Sequence, residues 1–224
     1  MFGLFGSNNN GQWKYDEIPT PSKPEDYAKI RELTIKKTLN WVDSNDNWSF
    51  FSTVDGVTLE SRPVSNSSIT ATRGTMTFKC NDFNKFVDHL FESSDESKKK
   101  IFEDMEANNI VKELDKDNMI VHSQFRAPPT VSWREFVVLK SRVVLKDGRH
   151  IITAVSINDK NVPFTDGYVR GVAISAMVVT NNKDGTIKLV KVEHVDPKGW
   201  LPVTLINMLK GKVGKTLAKM PVYL

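Results

Sequence analysis

Six consecutive stretches in the second half of the chain show the alternating, β-branched pattern of strands. Asp147-Gly148 and Asp184-Gly185 lie between such stretches, where tight hairpins need residues that tolerate a positive φ. Strands joined by short connections pair as antiparallel neighbours, so the pattern predicts a large antiparallel sheet. The predicted strands are 110–114, 119–125, 133–145, 151–157, 168–180 and 187–195.

One long apolar helix is predicted after these strands, beginning at Pro202. A sheet of this size that ends in a single apolar helix must curl around it, and the space between them would form a ligand cavity. We therefore predict an α+β fold in which a curved antiparallel sheet wraps around the C-terminal helix. The apolar face of that helix carries Leu205, Ile206, Leu209, Val213, Leu217 and Met220.

The first half of the chain is predicted to add helices and a few strands to the same domain. Residues 1–20 are rich in Gly, Asn and Pro and are predicted to form a flexible tail, which leaves 21–224 as one domain. A capping pattern at residues 22–25 predicts a first helix. Its predicted core face carries Ala28, Glu32, Ile35, Leu39 and Val42. Strands are predicted at 56–62 and 68–78, and two helices between 81 and 105.

Composition indicates a soluble, cytoplasmic protein that we expect to be a monomer. The chain has 224 residues, a net charge of +4, and a single cysteine that cannot form an internal disulfide. No apolar run approaches the roughly 18–20 residues of a membrane span. The mild positive charge fits either a solvated surface or peripheral contact with an anionic membrane.

No motif in the sequence predicts catalysis, a cofactor, a metal site or nucleic-acid binding. Residues 211–216 end like a phosphate-binding loop, but Leu209 stands where that motif needs glycine. The four histidines lack the spacing of a metal site or of a nucleophile motif. Residues 98–100, three lysines in a row, are read as a solvated charge run. The chain is therefore not expected to be an enzyme.

Arg134 and Glu135 occupy adjacent positions in the predicted strand 133–145, so their side chains must point to opposite faces of the sheet. We expect Arg134 to face the enclosed side and Glu135 to face solvent. A buried guanidinium needs a partner, and a ligand hydroxyl, carbonyl or phosphate would serve. The alternative is an outward Arg134 paired with a surface carboxylate.

Residues 133–137, 168–171 and 196–202 read Trp-Arg-Glu-Phe-Val, Tyr-Val-Arg-Gly and Asp-Pro-Lys-Gly-Trp-Leu-Pro. Together these segments resemble the signature of START domains, the lipid-transfer domains related to the steroidogenic acute regulatory protein. The resemblance implies a helix-grip fold that holds one lipid, a sterol or a phospholipid, for transfer between membranes or for sensing. It also matches Arg134 to an arginine that faces the cavity in sterol-binding members, whereas Asn109 lies near the place of its usual carboxylate partner. An enzyme on the same fold, a cyclase or hydrolase, is the alternative.

Three groups of site residues follow from these expectations. The loop 158–167 is predicted to be a lid, with Val162, Pro163 and Phe164 at its tip. Lys212, Lys215 and Lys219 are predicted to contact the membrane, although they would also suit a merely solvated helix face. The predicted lipid-binding residues are Asn109, Val121, Ser123, Arg134, Phe136, Ala173, Ser175, Met177, His194, Leu205, Ile206, Leu209 and Val213.

Overall fold

The computed structural model describes residues 18–92, 95–201 and 203–223, without the side chains of residues 95, 203–210 and 223. Within these residues the helices are α1 (Pro24–Asp43), α2 (Phe83–Glu92), α3 (Asp95–Ile101), α4 (Val203–Lys219) and the 3-10 helix η1 (Met220–Tyr223). The strands are β1 (Ser49–Val54), β2 (Val57–Arg62), β3 (Ala71–Lys79), β4 (Met105–Asp115), β5 (Asn118–Phe125), β6 (Trp133–Val144), β7 (His150–Ser156), β8 (Tyr168–Arg170), β9 (Val172–Asn181) and β10 (Thr186–Asp196).

The strands of the described chain form one sheet, ordered β1-β2-β3-β10-β9-β7-β6-β5-β4, in which every neighbouring pair is antiparallel. The predicted antiparallel sheet is confirmed, and it curves around the C-terminal helix as expected. Both Asp-Gly turns occur at hairpins, with φ of 85° at Gly148 and 83° at Gly185.

The segment predicted as one strand over 168–180 is divided at Gly171. The short β8 before it pairs in parallel with β6, and β9 after it pairs with β7 and β10. A Cβ at Gly171 would lie 2.4 Å from a ring carbon of Phe136, so only glycine allows the chain to cross here. The division therefore comes from a close approach to a side chain on another strand.

The two faces of the sheet have separate cores. Alternate side chains of the central strands pack either against α1 or against α2 and α4. The face of α1 that is buried carries Ile30, Thr34, Thr38 and Trp41, which corrects the predicted face. Thr34 donates its hydroxyl to the carbonyl of Ile30 at 2.7 Å, and Thr38 does the same to Thr34 at 2.8 Å. These bonds satisfy the hydroxyls within the helix and let both threonines be buried.

The helix α4 lies close to the first three strands because of two glycines, one on β3 facing the helix and one in the helix itself. A Cβ at Gly74 on β3 would lie 2.5 Å from Leu217, and a Cβ at Gly214 would lie 2.8 Å from the Cβ of Val54 on β1. These absent side chains let the backbones of α4 and the strands approach closely.

The predicted flexible tail, residues 1–20, is three residues too long, because residues 18–20 are ordered against the domain. Pro19 is buried and accepts a hydrogen bond at 2.8 Å from the backbone N–H of Asn158. The Asn158 side chain also donates to Ile18 and Thr20. Residues 18–20 therefore pack on the domain, and the rest of the predicted tail, 1–17, lies outside the described residues.

Candidate functional site

A cavity of about 420 Å³ lies between the sheet and α4, on the face opposite to α1. Its volume falls within the range of about 300–1,000 Å³ that is usual for small-molecule sites. Phe125 contacts Phe102 and Phe136 edge to face, with ring centroids 6.4 and 5.8 Å apart, and the three rings form part of its wall. Such a wall suits an apolar ligand.

Strand alternation brings most of the predicted site residues to this wall. Side chains at every second position of β5, β6 and β9 face the cavity. Their role in lipid binding remains a prediction, but their shared location is a feature of the structure. The predicted residues at the wall are Val121, Ser123, Arg134, Phe136, Ala173, Ser175, Met177 and Val213.

Two predicted site residues face away from the cavity. Asn109 is exposed, and the neighbouring Asn108 lies at the wall and accepts a hydrogen bond from Ser123 at 2.7 Å. Irregular pairing of β4 with β5 on both sides of this point shifts the alternation, which a regular strand pattern cannot predict. His194 is fully buried beneath the other face of β10, where its Nε2 bonds to Ile69 O at 3.0 Å. Neither Asn109 nor His194 therefore lies at the cavity wall, which corrects their assignment as lipid-binding residues.

Arg134 does lie at the cavity wall, but the protein itself supplies partners for its guanidinium. Nε donates to the carbonyl of Pro197 at 2.8 Å, and Nη2 donates to those of Lys198 at 3.0 Å and Trp200 at 3.3 Å. Nη1 donates to the carbonyl of Ser132. The side chain therefore joins β6 to the connection between β10 and α4, and few of its five N–H groups remain for a ligand.

Glu135 is fully buried, which corrects the expectation that it faces solvent. Its carboxylate accepts hydrogen bonds from Arg170 Nε at 2.9 Å and from the Thr165 hydroxyl at 2.7 Å, and it contacts His122 Nε2 at 2.8 Å. Burial alone would raise the pKa of Glu135, but the bonds from Thr165, His122 and Arg170 outweigh burial and hold the pKa below its ordinary value. The buried ion pair fixes the loop before β8.

The loop 158–167, predicted as a lid, contributes no residue to the described cavity wall, and one of its residues is buried on the other side of the sheet. Val162 is buried in the cluster that includes Ile30 and Trp41, on the α1 side of the sheet. Arg170 donates to the carbonyls of Val162 and Pro163 and lies over the exposed ring of Phe164. Val162 therefore packs the loop onto the core, whereas Phe164 is exposed.

A different loop borders the cavity, namely the connection 126–132 between β5 and β6. Four of its residues lie at the wall, opposite the side chains of α4 that also face the cavity. The loop contains two consecutive prolines, at positions 128 and 129. The wall residues of this loop are Arg126, Ala127, Pro128 and Val131.

The helix α4 covers the cavity with Val213 and Thr216, and Met220 of η1 lies at the wall beside them. The predicted contacts at Leu205, Ile206 and Leu209 lie outside the residues whose side chains the structure describes. Two of the three predicted membrane lysines form ion pairs with the turn before β4. Lys212 Nζ lies 2.7 Å from Asp104 Oδ2, and Lys219 pairs with Glu103, whereas Lys215 is exposed.

Three lysines at the wall were missed by the sequence analysis. Lys98 is only 8% exposed, which corrects its assignment to a solvated charge run. Lys140 lies on the same face of β6 as Arg134, and Lys191 lies on β10. Lys140 could have been found, because it is six residues after Arg134 in one strand and must share its face.

Among the described residues, no helix is both long enough and apolar enough to cross a membrane. Within the same part of the chain, no three His, Cys, Asp or Glu residues come together in a way that would hold a metal ion. Neither histidine nor cysteine occurs among the described residues of the cavity wall. The arrangement is that of a binding cavity with charged groups at defined positions.

Several proteins of known structure share this fold. Human StAR-related lipid transfer protein 5 superposes with a TM-score of 0.80 at 18% identity, over 90% of this chain and 97% of the human protein. Human STARD10 superposes with a TM-score of 0.71 at 18% identity, over 92% of this chain and 82% of the human protein. A STAR-related lipid transfer protein fragment from Xanthomonas axonopodis superposes with a TM-score of 0.68 at 20% identity, over 80% of this chain and 99% of the fragment. Identities this low show the fold alone.

Comparison with curated proteins found no match. The family comparison is decisive, since residues 44–220 match the START domain. The match includes every strand of the sheet, from β1 to β10, and the whole of α4. The predicted resemblance is therefore confirmed, and the chain belongs to the START domain family of lipid-binding domains.

Proposed function

We propose that the protein takes one lipid into the cavity and carries it between membranes. The observation that supports this most directly is the apolar cavity between the sheet and α4, whose described walls all come from one chain. A monomer is therefore sufficient. The solved relatives named above as lipid transfer proteins have the same fold.

The energetics of the cavity suit transfer without an energy source. Burial of ten to twenty CH₂ groups at about 0.8 kcal/mol each stabilises the bound lipid by about 8–16 kcal/mol relative to water. The same groups are already in apolar surroundings within a bilayer, so exchange between bilayer and cavity is nearly balanced. The lipid class, sterol or phospholipid, is decided by the polar groups at the cavity ends.

We propose that binding, and not catalysis, is the activity. General acid–base catalysis and nucleophilic catalysis need a group of suitable pKa within reach of the reacting atoms. The described wall offers hydroxyls at Ser123 and Ser175, but no histidine beside them to act as a base. A cyclase or hydrolase on this fold remains the alternative, and recovery of a chemically converted lipid would favour it.

We further propose that the outer face of α4 contacts anionic membranes through Lys212, Lys215 and Lys219. Each lysine near such a surface contributes about 1 kcal/mol. For Lys212 and Lys219, membrane contact competes with the ion pairs to Asp104 and Glu103. Lys215 is exposed and forms no ion pair within the described chain, so it is the best placed of the three.

Transfer of fluorescent lipids between donor and acceptor vesicles tests the proposal. Ala173→Leu with Ser175→Leu places two larger side chains in the cavity, and we expect transfer to fall at least tenfold. Ala28→Leu, on the exposed side of α1, is the control for the added apolar bulk. Equal transfer by the filled and parent proteins, with folding intact, would show that the cavity does not carry the lipid.

A further inference from the structure

Two lysine ammonium groups at one end of the cavity share a single carbonyl oxygen. Lys98 Nζ, from α3, and Lys140 Nζ, from β6, each lie 3.1 Å from the carbonyl oxygen of Leu90. Lys140 also donates to the carbonyl of Phe91. Two nitrogens this close to one oxygen are within about 6 Å of each other, where like charges repel.

A third lysine faces the same end of the cavity. Lys191 on β10 is 8% exposed, lies over the ring of Phe102, and pairs with Glu193 at 2.7 Å. Glu193 thus balances one of the three positive charges. Glu92, near Lys140, forms an ion pair with Arg142 at 3.2 Å.

Helix capping explains part of this arrangement but not all of it. Leu90 and Phe91 belong to the last turn of α2, whose carbonyls attract cations. Several carbonyls are free at a helix end, yet both ammonium groups converge on the same one, that of Leu90. Within the described chain, neither Lys98 nor Lys140 has a carboxylate at ion-pair distance. Both bring positive charge to the wall of the cavity, where a buried ion without a counter-charge is costly.

Acidic side chains on the rest of the wall do not cancel this excess of positive charge. Among its described residues, six cationic side chains and three acidic ones face the cavity. Arg134 lies six residues from Lys140 on the same face of β6, which places it about 20 Å away. Phe136 and Val138 lie between them on that face, so an apolar stretch separates the two cationic ends.

We propose that the lysine cluster, Lys98, Lys140 and Lys191, binds the anionic group of the lipid and makes the protein selective for anionic lipids. A carboxylate or a phosphate would accept hydrogen bonds from these ammonium groups and complete their charge balance. The apolar part of the ligand then extends along Phe136 and Val138 toward Arg134. This inference rests on the proposed function, since it assumes that the cavity holds a lipid.

Oleate and oleyl alcohol form a matched pair of probes that differ only in the charged end. We expect the parent protein to bind oleate at least tenfold more tightly than oleyl alcohol in calorimetric titrations at pH 7. Lys98→Met with Lys140→Met should abolish that preference. The control, Lys99→Met with Lys146→Met, removes the same charge from exposed positions and should keep it.

Phosphatidic acid and diacylglycerol, compared in the same way, distinguish a phosphate from a carboxylate as the preferred anion. Equal affinity of the parent protein for charged and neutral members of both pairs overturns the inference while leaving lipid binding intact. That comparison needs no variant, so it holds even if the double variant folds poorly. A preference for the anionic lipid that survives in the double variant also overturns the role of the cluster. Failure of the parent protein to bind any of the four lipids contradicts the proposed function itself.

Discussion

Lys212 on α4 and Asp104 on the turn before β4 form an ion pair of 2.7 Å at the cavity wall. The pair connects the helix that covers the cavity to the opposite rim. Lys219 and Glu103 make a second connection of the same kind about two turns farther along α4. Departure of α4 from the rim, which would open the cavity, must break both pairs.

Asp104→Asn should therefore speed lipid release. Partly exposed ion pairs contribute up to about 1 kcal/mol, so we expect a two- to fivefold higher release rate in stopped-flow measurements. The parent protein should show a similar increase at high salt, because salt screens the pair. The control, Asp55→Asn in the exposed turn between β1 and β2, should leave the lipid release rate unchanged. A release rate that is independent of both Asp104 and salt would mean that α4 does not move during exchange.

Lys215 should matter more than Lys212 for binding to anionic vesicles. Lys215→Gln removes a charge that is available to the membrane, and we expect about fivefold weaker binding in vesicle sedimentation at low salt. Lys212→Gln should have a smaller effect, because the ammonium of Lys212 must first leave Asp104. Unchanged binding by the Lys215 variant would indicate that this face of α4 is solvated in the working protein.

The two glycines of α4 should respond in opposite ways to replacement by alanine. Gly211→Ala should stabilise the protein by about 0.5–1 kcal/mol, since a Cβ there meets no atom within 4 Å and alanine favours the helix. Gly214→Ala should destabilise it, because the new Cβ would lie 2.8 Å from Val54. Urea unfolding of both variants measures the difference, and equal shifts would contradict the close packing of α4 on β1.

Stability in the absence of lipid should rise with pH because of Lys98. Burial, with a smaller contribution from Lys191, lowers the pKa of Lys98 to about 8. Between pH 8 and about 10.5 the unfolded chain then binds more protons than the folded one, so folding becomes more favourable as pH rises through this range. The full effect of the shift is about 3 kcal/mol.

Urea titrations from pH 7.5 to 10 check the Lys98 prediction. Burial also lowers the pKa of Lys140, which faces the same point, so the difference between the parent and Lys98→Met isolates the Lys98 contribution. The variant should be the more stable protein near pH 7.5 and should lose most of the pH-dependent rise. Parallel stability curves for the two proteins would show that Lys98 carries no buried charge.

Local pattern was enough to predict the sheet, the final helix and the family, because each depends on signals that lie close together in the sequence. Alternation placed Arg134, Phe136 and Ser175 at the cavity wall. Asn109 was predicted from the family resemblance instead, and irregular strand pairing on both sides of it accompanies a wall position for the neighbouring Asn108. A period of two holds only while the pairing is regular.

The remaining errors concern contacts between distant parts of the chain. The partners of Glu135 and Arg134 come from residues at least 30 positions away, apart from the nearby His122 and Ser132. Burial of Lys98 depends on α3 packing over the sheet, which its charged neighbours do not indicate. In the loop 158–167, Val162 lies in the core beneath α1, whereas Phe164 is exposed.

Native mass spectrometry after incubation with a total lipid extract tests the central claim most directly. We predict that the parent protein retains one intact lipid per chain and that Ala173→Leu with Ser175→Leu retains none. Ala28→Leu should match the parent. A parent protein that stays free of lipid, or that returns only converted products, would contradict the account of a cavity built to hold and carry a single lipid.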